Sequence, residues 1–260
     1  MHVNQAKQKL RSGDCIWGVF ANGLSPELVE IMGLAGFDFI VIDSEHASST
    51  PQHNRTLIMA GEARGVSMFT RVPCQESSVI LRNLDVGAQG LLVPQVNSRQ
   101  EAEAIARAAR YYPEGFRGVA TPRASDYGMS GSILDYMAHA NENLLLAVQC
   151  ENIACVEHLD EIAAVPGIDV IFVGPFDLSQ SMGIPGQVNA PGIHAVAAQV
   201  LDATARHGKY AGIFASTVEQ ALAYRDMGFR YIIVGTDMKY FASACKEAVR
   251  ALHAGEGEQS

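Results

Sequence analysis

The stretch FDFIVIDSEH, residues 37–46, decides the fold because it shows where a buried strand ends and polar chemistry begins. Five apolar residues and one acid run from Phe37 to Ile42, a pattern typical of a strand that is covered on both faces. Three titratable side chains follow within four positions: Asp43, Glu45 and His46. We interpret the segment as a strand of a parallel sheet whose carboxyl end carries functional groups.

Similar short, mostly apolar runs recur along the chain, and together they predict eight strands. Their ranges are 15–20, 37–43, 67–72, 90–94, 144–150, 169–174, 210–214 and 231–235. Helical patterns separate them. In the first of these patterns Ser25 is the expected N-cap, Pro26 the first helical residue and Gly36 the terminator. The pairs Ser98–Glu101 and Ser216–Glu219 have the spacing of capping boxes.

Eight strands that alternate with about eight helices predict a closed (β/α)8 barrel, which we expect to form one domain over residues 1–260. A doubly wound open sheet accommodates the same elements and is the competing interpretation. The polar residues at the ends of the apolar runs favour the barrel. In a barrel those ends converge on one mouth, whereas an open sheet would scatter them along an edge.

The composition limits the classes of function. The formal charge of −9 and the lack of a basic run argue against nucleic-acid binding. No apolar segment reaches the ~18 residues of a membrane span, and the amino terminus lacks the apolar core of a signal peptide. The five cysteines are scattered without a CxxC pair, so we expect a cytoplasmic protein with reduced thiols and no zinc cluster.

Two carboxylates at strand ends are candidate metal ligands, Glu151 and Asp177. Gln149 alternates with Glu151 and therefore faces the same way. Hard divalent cations take oxygen ligands and often only one or two carboxylates, with water and substrate completing the shell. Each carboxylate alone is more simply a solvated or ion-paired group. Their position at adjacent strand ends favours the metal interpretation.

His46 is the best candidate for a general acid–base, since its ordinary pKa lies near neutrality. Asp43 and Asp85 are the carboxylates that would orient it. Arg71 lies on a buried strand, where its planar donors suit a carboxylate or an enolate oxygen of a substrate. A structural bridge to Glu45 or Asp43 explains it equally well, and the sequence leaves both readings open.

The motif GPFDLS, residues 174–179, suggests an oxyanion site. Gly174 permits close backbone approach, Pro175 fixes the turn, and the N–H groups that follow point at a bound anion. The motif lacks the GK[ST] of a phosphate-binding loop, and no GxGxxG follows the first strand. Residues 113–131 are rich in Gly, Pro and Ser, and a loop of that length is often functional.

Six motifs, DSEH, TRV, LDVGAQGLLVPQV, ARAARYYPEGFRGV, VQCEN and VGPFDLS, resemble the class II, metal-dependent pyruvate aldolases. That family includes 2-dehydro-3-deoxyglucarate aldolase and 4-hydroxy-2-oxoheptanedioate aldolase. The similarity runs from Gly18 to about Ala251. It implies a (β/α)8 barrel that reversibly cleaves a 4-hydroxy-2-oxo acid, derived from a sugar acid or a dicarboxylate, to pyruvate and an aldehyde through a pyruvate enolate.

The resemblance also implies a role for each matching residue. It implies that Glu151 and Asp177 bind a Mg²⁺, Mn²⁺ or Co²⁺ ion, and that Arg71 and Gln149 bind the pyruvate moiety. His46 would be the base, with help from Asp43 and Asp85. The backbone N–H groups of Phe176 and Asp177 would bind the pyruvate carboxylate.

The sequence departs from the family pattern at positions that bear on specificity. Phe176 replaces the small residue that is common there, so we expect it to narrow the aldehyde side of the site. Phe20 is a second specificity position, and Arg123 in the long loop is available for a distal substrate group.

Family members commonly assemble as hexamers, trimers of dimers, that exchange a C-terminal helix. Here the exchanged segment would begin at about Phe241. Two other functions stay open. One is a related enolate-forming lyase that acts on another 2-oxo acid or a CoA ester. The other is a non-catalytic barrel that binds oxo acids.

Overall fold

The computed structural model describes the backbone of residues 3–257 and the side chains of residues 3–254, so residues 1–2 and 258–260 of the expected domain lie outside the described part. Eight strands form the centre of the fold. They are β1 (Ile16–Ala21), β2 (Phe39–Asp43), β3 (Ser67–Arg71), β4 (Gly90–Val93), β5 (Leu145–Cys150), β6 (Val170–Val173), β7 (Tyr210–Ala215) and β8 (Tyr231–Thr236).

The strands form a closed ring in chain order, each parallel to the next, and β8 pairs with β1 to complete it. This confirms the (β/α)8 barrel and excludes the open sheet. Every predicted strand is present, with ends within two residues of those expected. The agreement is close because apolar runs in a parallel sheet are buried on both faces and end where polar residues begin.

Helices surround the barrel. They are α1 (Gln5–Arg11), α2 (Pro26–Ala35), α3 (Pro51–Ala63), α4 (Ser77–Asp85), α5 (Arg99–Ala108), α6 (Ile133–Asn143), α7 (Ile153–Glu157), α8 (Leu159–Ala163), α9 (Pro175–Ser181), α10 (Pro191–Arg206), α11 (Val218–Met227) and α12 (Asp237–Gly257), with a 3₁₀ segment at Arg123–Gly128. Within the described residues, no helix combines the length and apolar character needed to cross a membrane.

The start and end of α2 follow the sequence prediction. The Ser25 hydroxyl accepts a hydrogen bond from the N–H of Leu28, and Pro26 is the first helical residue. Gly36 ends the helix with φ of 97°, a left-handed conformation that a residue without Cβ adopts readily.

The two predicted capping boxes differ from expectation. At α5, Ser98 caps the N–H of Glu101 as predicted, but the Glu101 carboxylate accepts from the N–H of Asn97 at 2.6 Å rather than from Ser98. At α11 the cap is Thr217, one residue beyond the predicted Ser216, because a threonine hydroxyl caps as readily as a serine.

Aromatic side chains fill the barrel interior near the start of the strands. Phe39 packs on Phe69 and Tyr231, with ring centroids 5.1 and 4.4 Å apart, and all three are fully buried. Gly18 leaves room for the Phe39 ring, since a Cβ at that position would lie 2.2 Å from it. Aromatic and aliphatic side chains thus fill this part of the interior, beneath the polar residues at the carboxyl ends of the strands.

Candidate active site

A cavity of about 340 Å³ opens at the carboxyl ends of the strands. Its polar side chains come mainly from β2, β3 and β5 and from the start of α9. They are Asn22, Asp43, His46, Arg71, Gln149 and Asp177. Aromatic side chains line the remainder, namely Phe20, Phe172, Phe176 and Phe214. The convergence of the predicted residues follows from barrel closure, which brings strand ends that are distant in sequence to one mouth.

Arg71 and Asp43 form the centre of the polar half. The β2–β3 register pairs the two residues, and the Arg71 Nε and Nη2 atoms donate to the two Asp43 oxygens at 3.0 and 2.7 Å. Burial alone would raise the pKa of Asp43, but the hydrogen bonds and charge of Arg71 outweigh it and hold the pKa below its usual value. Asn22 donates a further bond at 2.7 Å.

Asp43 positions His46 through the backbone rather than through the imidazole ring. Its Oδ1 accepts from the backbone N–H groups of Glu45 and His46 at 3.1 and 3.2 Å, which fixes the chain just after β2. The ring neighbour of His46 is Glu45, whose Oε2 lies 3.8 Å from Nε2. Glu45 also lies 3.3 Å from Nη1 of Arg71, and burial raises its pKa.

Gln149 lines the cavity, and Glu151 is buried directly beside it. The Gln149 Nε2 donates to Oε2 of Glu151, and the N–H of Gln95 donates to Oε1 at 2.9 Å. Glu151 is 2% exposed, and its burial, with the charges of Glu45 and Asp177, raises its pKa to about 7. Glu151 is therefore a carboxylate whose ionised form lacks a compensating cation.

Gly174 is required where β6 meets α9. A Cβ on this residue would lie 2.8 Å from Oε2 of Glu151 and 3.1 Å from its Cβ. The glycine therefore lets the end of β6 approach the buried carboxylate, whereas the GPFDLS motif predicted close approach to a bound oxyanion, which stays a prediction.

The donor set fits a hard divalent cation that is shared with a substrate. Glu151 and Asp177 are close enough for the charge of Asp177 to raise the pKa of Glu151. Within the side chains of residues 3–254, no three His, Cys, Asp or Glu groups are clustered tightly enough to hold a metal among themselves. Two carboxylates with open positions for water and substrate are what a Mg²⁺-type site commonly provides. The buried Oε1 of Gln149 has no hydrogen-bond partner among the described residues and is also free for a ligand.

Two residues that were predicted to belong to the site lie outside the cavity. Asp85 ends α4, before the amino end of β4, and accepts a hydrogen bond from Arg117 at 2.7 Å. Arg123 forms an ion pair with Glu62 and lines a separate cavity on the side of the barrel's amino end. Within one chain neither residue reaches His46. This placement gives no support to the predicted role of Asp85 as a helper of His46, or of Arg123 as a ligand for a distal substrate group.

Four cavity residues were not singled out from the sequence: Asn22, Phe172, Phe214 and Thr236. Each lies near the carboxyl end of a predicted strand or just beyond it, so the rule that strand ends line the mouth of a barrel would have found them. Asp237, the first residue of α12, accepts from the N–H groups of Asn22 and Gly23 at 2.9 and 3.0 Å and ties the end of β1 to α12.

Several known proteins resemble this chain over most of its length. The curated relative 5-keto-4-deoxy-D-glucarate aldolase of Shigella boydii is 36% identical over 231 residues, which cover 89% of this chain and 88% of that protein. The protein of the same name from Escherichia coli K12 has the same identity and coverage.

Solved structures agree as well. An HpcH/HpaI aldolase/citrate lyase family protein from Burkholderia cenocepacia J2315 superposes with a TM-score of 0.91 at 33% identity, covering 96% of this chain and 99% of that one. The citrate synthase SbnG superposes with a TM-score of 0.88 at 30% identity, covering 97% and 99%. Residues 17–244 match the HpcH/HpaI aldolase/citrate lyase family. The chain therefore belongs to that family and is a carbon–carbon lyase of the aldolase type.

Proposed function

We propose that the protein cleaves a 4-hydroxy-2-oxo acid reversibly to pyruvate and an aldehyde. The observation that carries this proposal is the meeting of Arg71, His46, Gln149 and Glu151 at one barrel mouth, on strands that are far apart in sequence. The name of the Shigella and Escherichia relatives supports a sugar-acid-derived substrate.

Dependence on a divalent metal ion is a property of the family. In this chain Glu151 and Asp177 would hold the ion, for which Mg²⁺, Mn²⁺ and Co²⁺ are the candidates. A cation held there supplies Lewis acidity, which draws electron density from the 2-oxo group and favours formation of an enolate. Among the described residues that line the cavity there is no lysine, which supports this route over a Schiff base.

Arg71 supplies fixed positive charge beside the 2-oxo acid. Its two bonds to Asp43 hold the guanidinium rigidly, so little reorganisation is needed when negative charge develops on the substrate. Gln149 offers its unpartnered Oε1 to a substrate or bound water. The backbone N–H groups of Phe176 and Asp177 lie in the first turn of α9, where they have no intrahelical partner, and suit the pyruvate carboxylate.

His46 moves the proton. In cleavage its ring nitrogen takes the proton of the C4 hydroxyl, directly or through a water, as the C3–C4 bond breaks and the aldehyde leaves. The electron pair stays on C3 of the pyruvate unit, which then gains a proton. The side chain of His46 is 59% exposed at the mouth, so it can exchange that proton with solvent.

A cleavage screen tests the proposal. Purified protein is incubated with a panel of 4-hydroxy-2-oxo acids, and pyruvate release is read with lactate dehydrogenase. We expect EDTA to abolish release and Mg²⁺ or Mn²⁺ to restore it. His46→Ala should lower kcat by about 10²–10⁴-fold, whereas His53→Ala, an exposed histidine of α3, should not. A borohydride-trapped pyruvate adduct, or release that is insensitive to EDTA, would reject the metal-dependent route, and a lack of pyruvate release from every acid of the panel would reject the proposal.

The similarity to a protein named citrate synthase favours a second candidate, the condensation of a 2-oxo acid with an acyl donor. Calorimetry with acetyl-CoA separates the two. Saturable binding of acetyl-CoA, together with no pyruvate release from any 4-hydroxy-2-oxo acid, would favour the condensation.

We also propose that the chain assembles into homo-oligomers, with the hexamer of paired barrels as the expected form. Helix α12 supports this because it exposes a series of large apolar side chains, namely Met238, Tyr240, Phe241, Val249 and Leu252. Exposed apolar area of this kind is typical of a surface that another chain covers. Light scattering gives the mass in solution, and the mass of a monomer would contradict the proposal.

A further inference from the structure

The cavity is divided into a polar half and an aromatic half. Three phenylalanines, Phe20 at β1, Phe214 at β7 and Phe176 at the start of α9, form a row that we call the aromatic wall. The ring centroids of Phe20 and Phe214 are 6.1 Å apart, and those of Phe214 and Phe176 are 6.4 Å apart. Aromatic rings at these separations are in contact.

The positive charge in the cavity comes from the polar half and is in contact with the aromatic wall at Phe20. Of the residues that line the cavity, all of which are described, the only side chains that can carry positive charge are Arg71 and His46. The guanidinium of Arg71 already neutralises Asp43 and Glu45 and lies 4.5 Å over the Phe20 ring. His46 is paired with Glu45. Beside the wall, the remaining polar residue is the neutral Thr236.

A carboxylate placed against the rings of Phe214 and Phe176 would lose water, and the two cationic side chains of the cavity are already paired with Asp43 and Glu45, so such a group is strongly disfavoured. A short hydrocarbon or hydroxyalkyl group presents C–H bonds to the rings and gains apolar contact instead. The wall therefore discriminates by charge at the end of the substrate that does not become pyruvate.

We propose that the aldehyde part of the substrate is uncharged and packs against the aromatic wall, so that the substrate carries a single carboxylate, as a deoxy sugar monoacid does. This inference rests on the proposed aldolase function and narrows its substrate class. Phe176 is the specificity-determining residue, since its side chain is half-exposed at the mouth of the cavity and packs edge-on against Phe214.

The reaction that probes the wall is the condensation. The methyl group of pyruvate loses one proton, its C3 forms a bond to the aldehyde carbon, and the new alkoxide takes up one proton. The sum of the two reactants is the 4-hydroxy-2-oxo acid, with no oxidant or reductant. Two aldehydes of equal length make a matched pair, since butanal ends in a methyl group where succinic semialdehyde ends in a carboxylate.

We expect the wild-type protein to use butanal with a kcat/KM at least about tenfold higher than that for succinic semialdehyde, since an unpaired charge is excluded from the wall. Phe176→Lys should move that ratio at least about tenfold towards succinic semialdehyde, because it places a cation beside the distal carboxylate. Phe116→Lys is the control. Phe116 is 56% exposed, close to the 52% of Phe176, but packs on Arg107 outside the cavity.

A second measurement distinguishes a failure of this inference from a failure of the proposed function. Exchange of the pyruvate methyl protons for deuterium, followed by NMR, requires enolate formation but no aldehyde. If exchange occurs and succinic semialdehyde reacts as well as butanal, or neither aldehyde reacts, the inference about the wall is overturned while enolate chemistry stands. An equal change in the ratio of kcat/KM for the two aldehydes in Phe176→Lys and Phe116→Lys would also overturn the inference about the wall. Absence of exchange and of any condensation overturns the proposed function and this inference with it.

Discussion

Arg71 and Asp43 occupy paired positions on neighbouring strands and are joined by two hydrogen bonds of 3.0 and 2.7 Å. The Asp43 side chain is fully buried and that of Arg71 is 11% exposed. The pair therefore lies at the inner end of the cavity, where it serves the stability of the barrel and the charge distribution of the site together.

Removing Asp43 should destabilise the protein strongly. Asp43→Ala leaves the Arg71 guanidinium buried with only the more distant Glu45, and breaking a buried ion pair costs about 3–5 kcal/mol. Urea denaturation measures this loss. The control is Glu30→Ala, which breaks an exposed pair with Arg64 at 2.6 Å and should cost about 1 kcal/mol or less. Equal losses for the two variants would contradict the prediction.

Acid should weaken the protein partly through Asp43. The pKa of Asp43 is lowered in the folded state, so the folded protein binds its proton less readily than the unfolded chain does. Ionised Asp43 therefore stabilises the folded protein above the ordinary pKa of about 3.9, and this contribution is lost as the pH falls through the lower pKa of the folded state. Denaturation curves from about pH 5 to about pH 2 should fall less steeply for Asp43→Asn. An unchanged slope would show that Asp43 does not contribute.

Glu151→Gln should separate metal binding from stability. The pKa of Glu151 is raised from 4.5 to about 7, so the stability tied to its protonated form is present below pH 4.5 and is lost as the pH rises through about 7. A neutral amide avoids that loss. At pH ~8, without metal, the variant should be as stable as wild type or more stable, by up to the order of 3 kcal/mol.

Added Mg²⁺ completes the Glu151→Gln test. The thermal stabilisation that Mg²⁺ gives the wild-type protein should be lost, since a neutral amide is a weaker ligand than a carboxylate. Asp177→Ala should also lose it, with little change in the metal-free protein because Asp177 is exposed. Differential scanning fluorimetry measures both effects. Equal Mg²⁺ stabilisation of wild type and either variant would argue against these two residues as ligands.

Gly174→Ala should damage the site by displacing Glu151. The added Cβ would lie 2.8 Å from Oε2 of Glu151 and cannot be accommodated without movement of the carboxylate or of the end of β6. Overpacking of this kind costs about 1–3 kcal/mol, and we expect pyruvate release to fall with it. Gly118→Ala is the control, because the nearest atom to its Cβ would be a Leu81 methyl at an ordinary 3.7 Å. Activity that is equal in both variants would contradict the prediction.

The N-cap of α11 shows a limit of prediction from local sequence patterns. The spacing to Glu219 predicted Ser216 as the cap. The structure uses Thr217 with Gln220, whose side chain accepts from the N–H of Ser216 at 2.9 Å. Two chemically equivalent caps one residue apart differ only in how the helix packs on the barrel, which a local pattern does not contain.

Arg71 shows what the sequence left open within the site. A buried arginine predicted either a substrate contact or a structural bridge, and the strand register shows that the bridge to Asp43 exists. Glu45, the other bridge partner that the sequence offered, also contacts Arg71, at 3.3 Å, and lies 3.8 Å from the His46 ring. Side-chain partners of this kind depend on which strands are adjacent and on their stagger.

The sequence by itself determined the eight buried strands, their parallel closure and the positions at which polar residues would gather, because burial on both faces leaves a continuous apolar run that ends at the mouth. Only the tertiary structure decided which of those polar residues meet. Asp85 belongs to a motif that matches the family and Arg123 to a loop that departs from it, yet in one chain both lie towards the opposite end of the barrel, bound to Arg117 and Glu62. The distance between two side chains in the fold depends on strand direction and register, and no single motif specifies either.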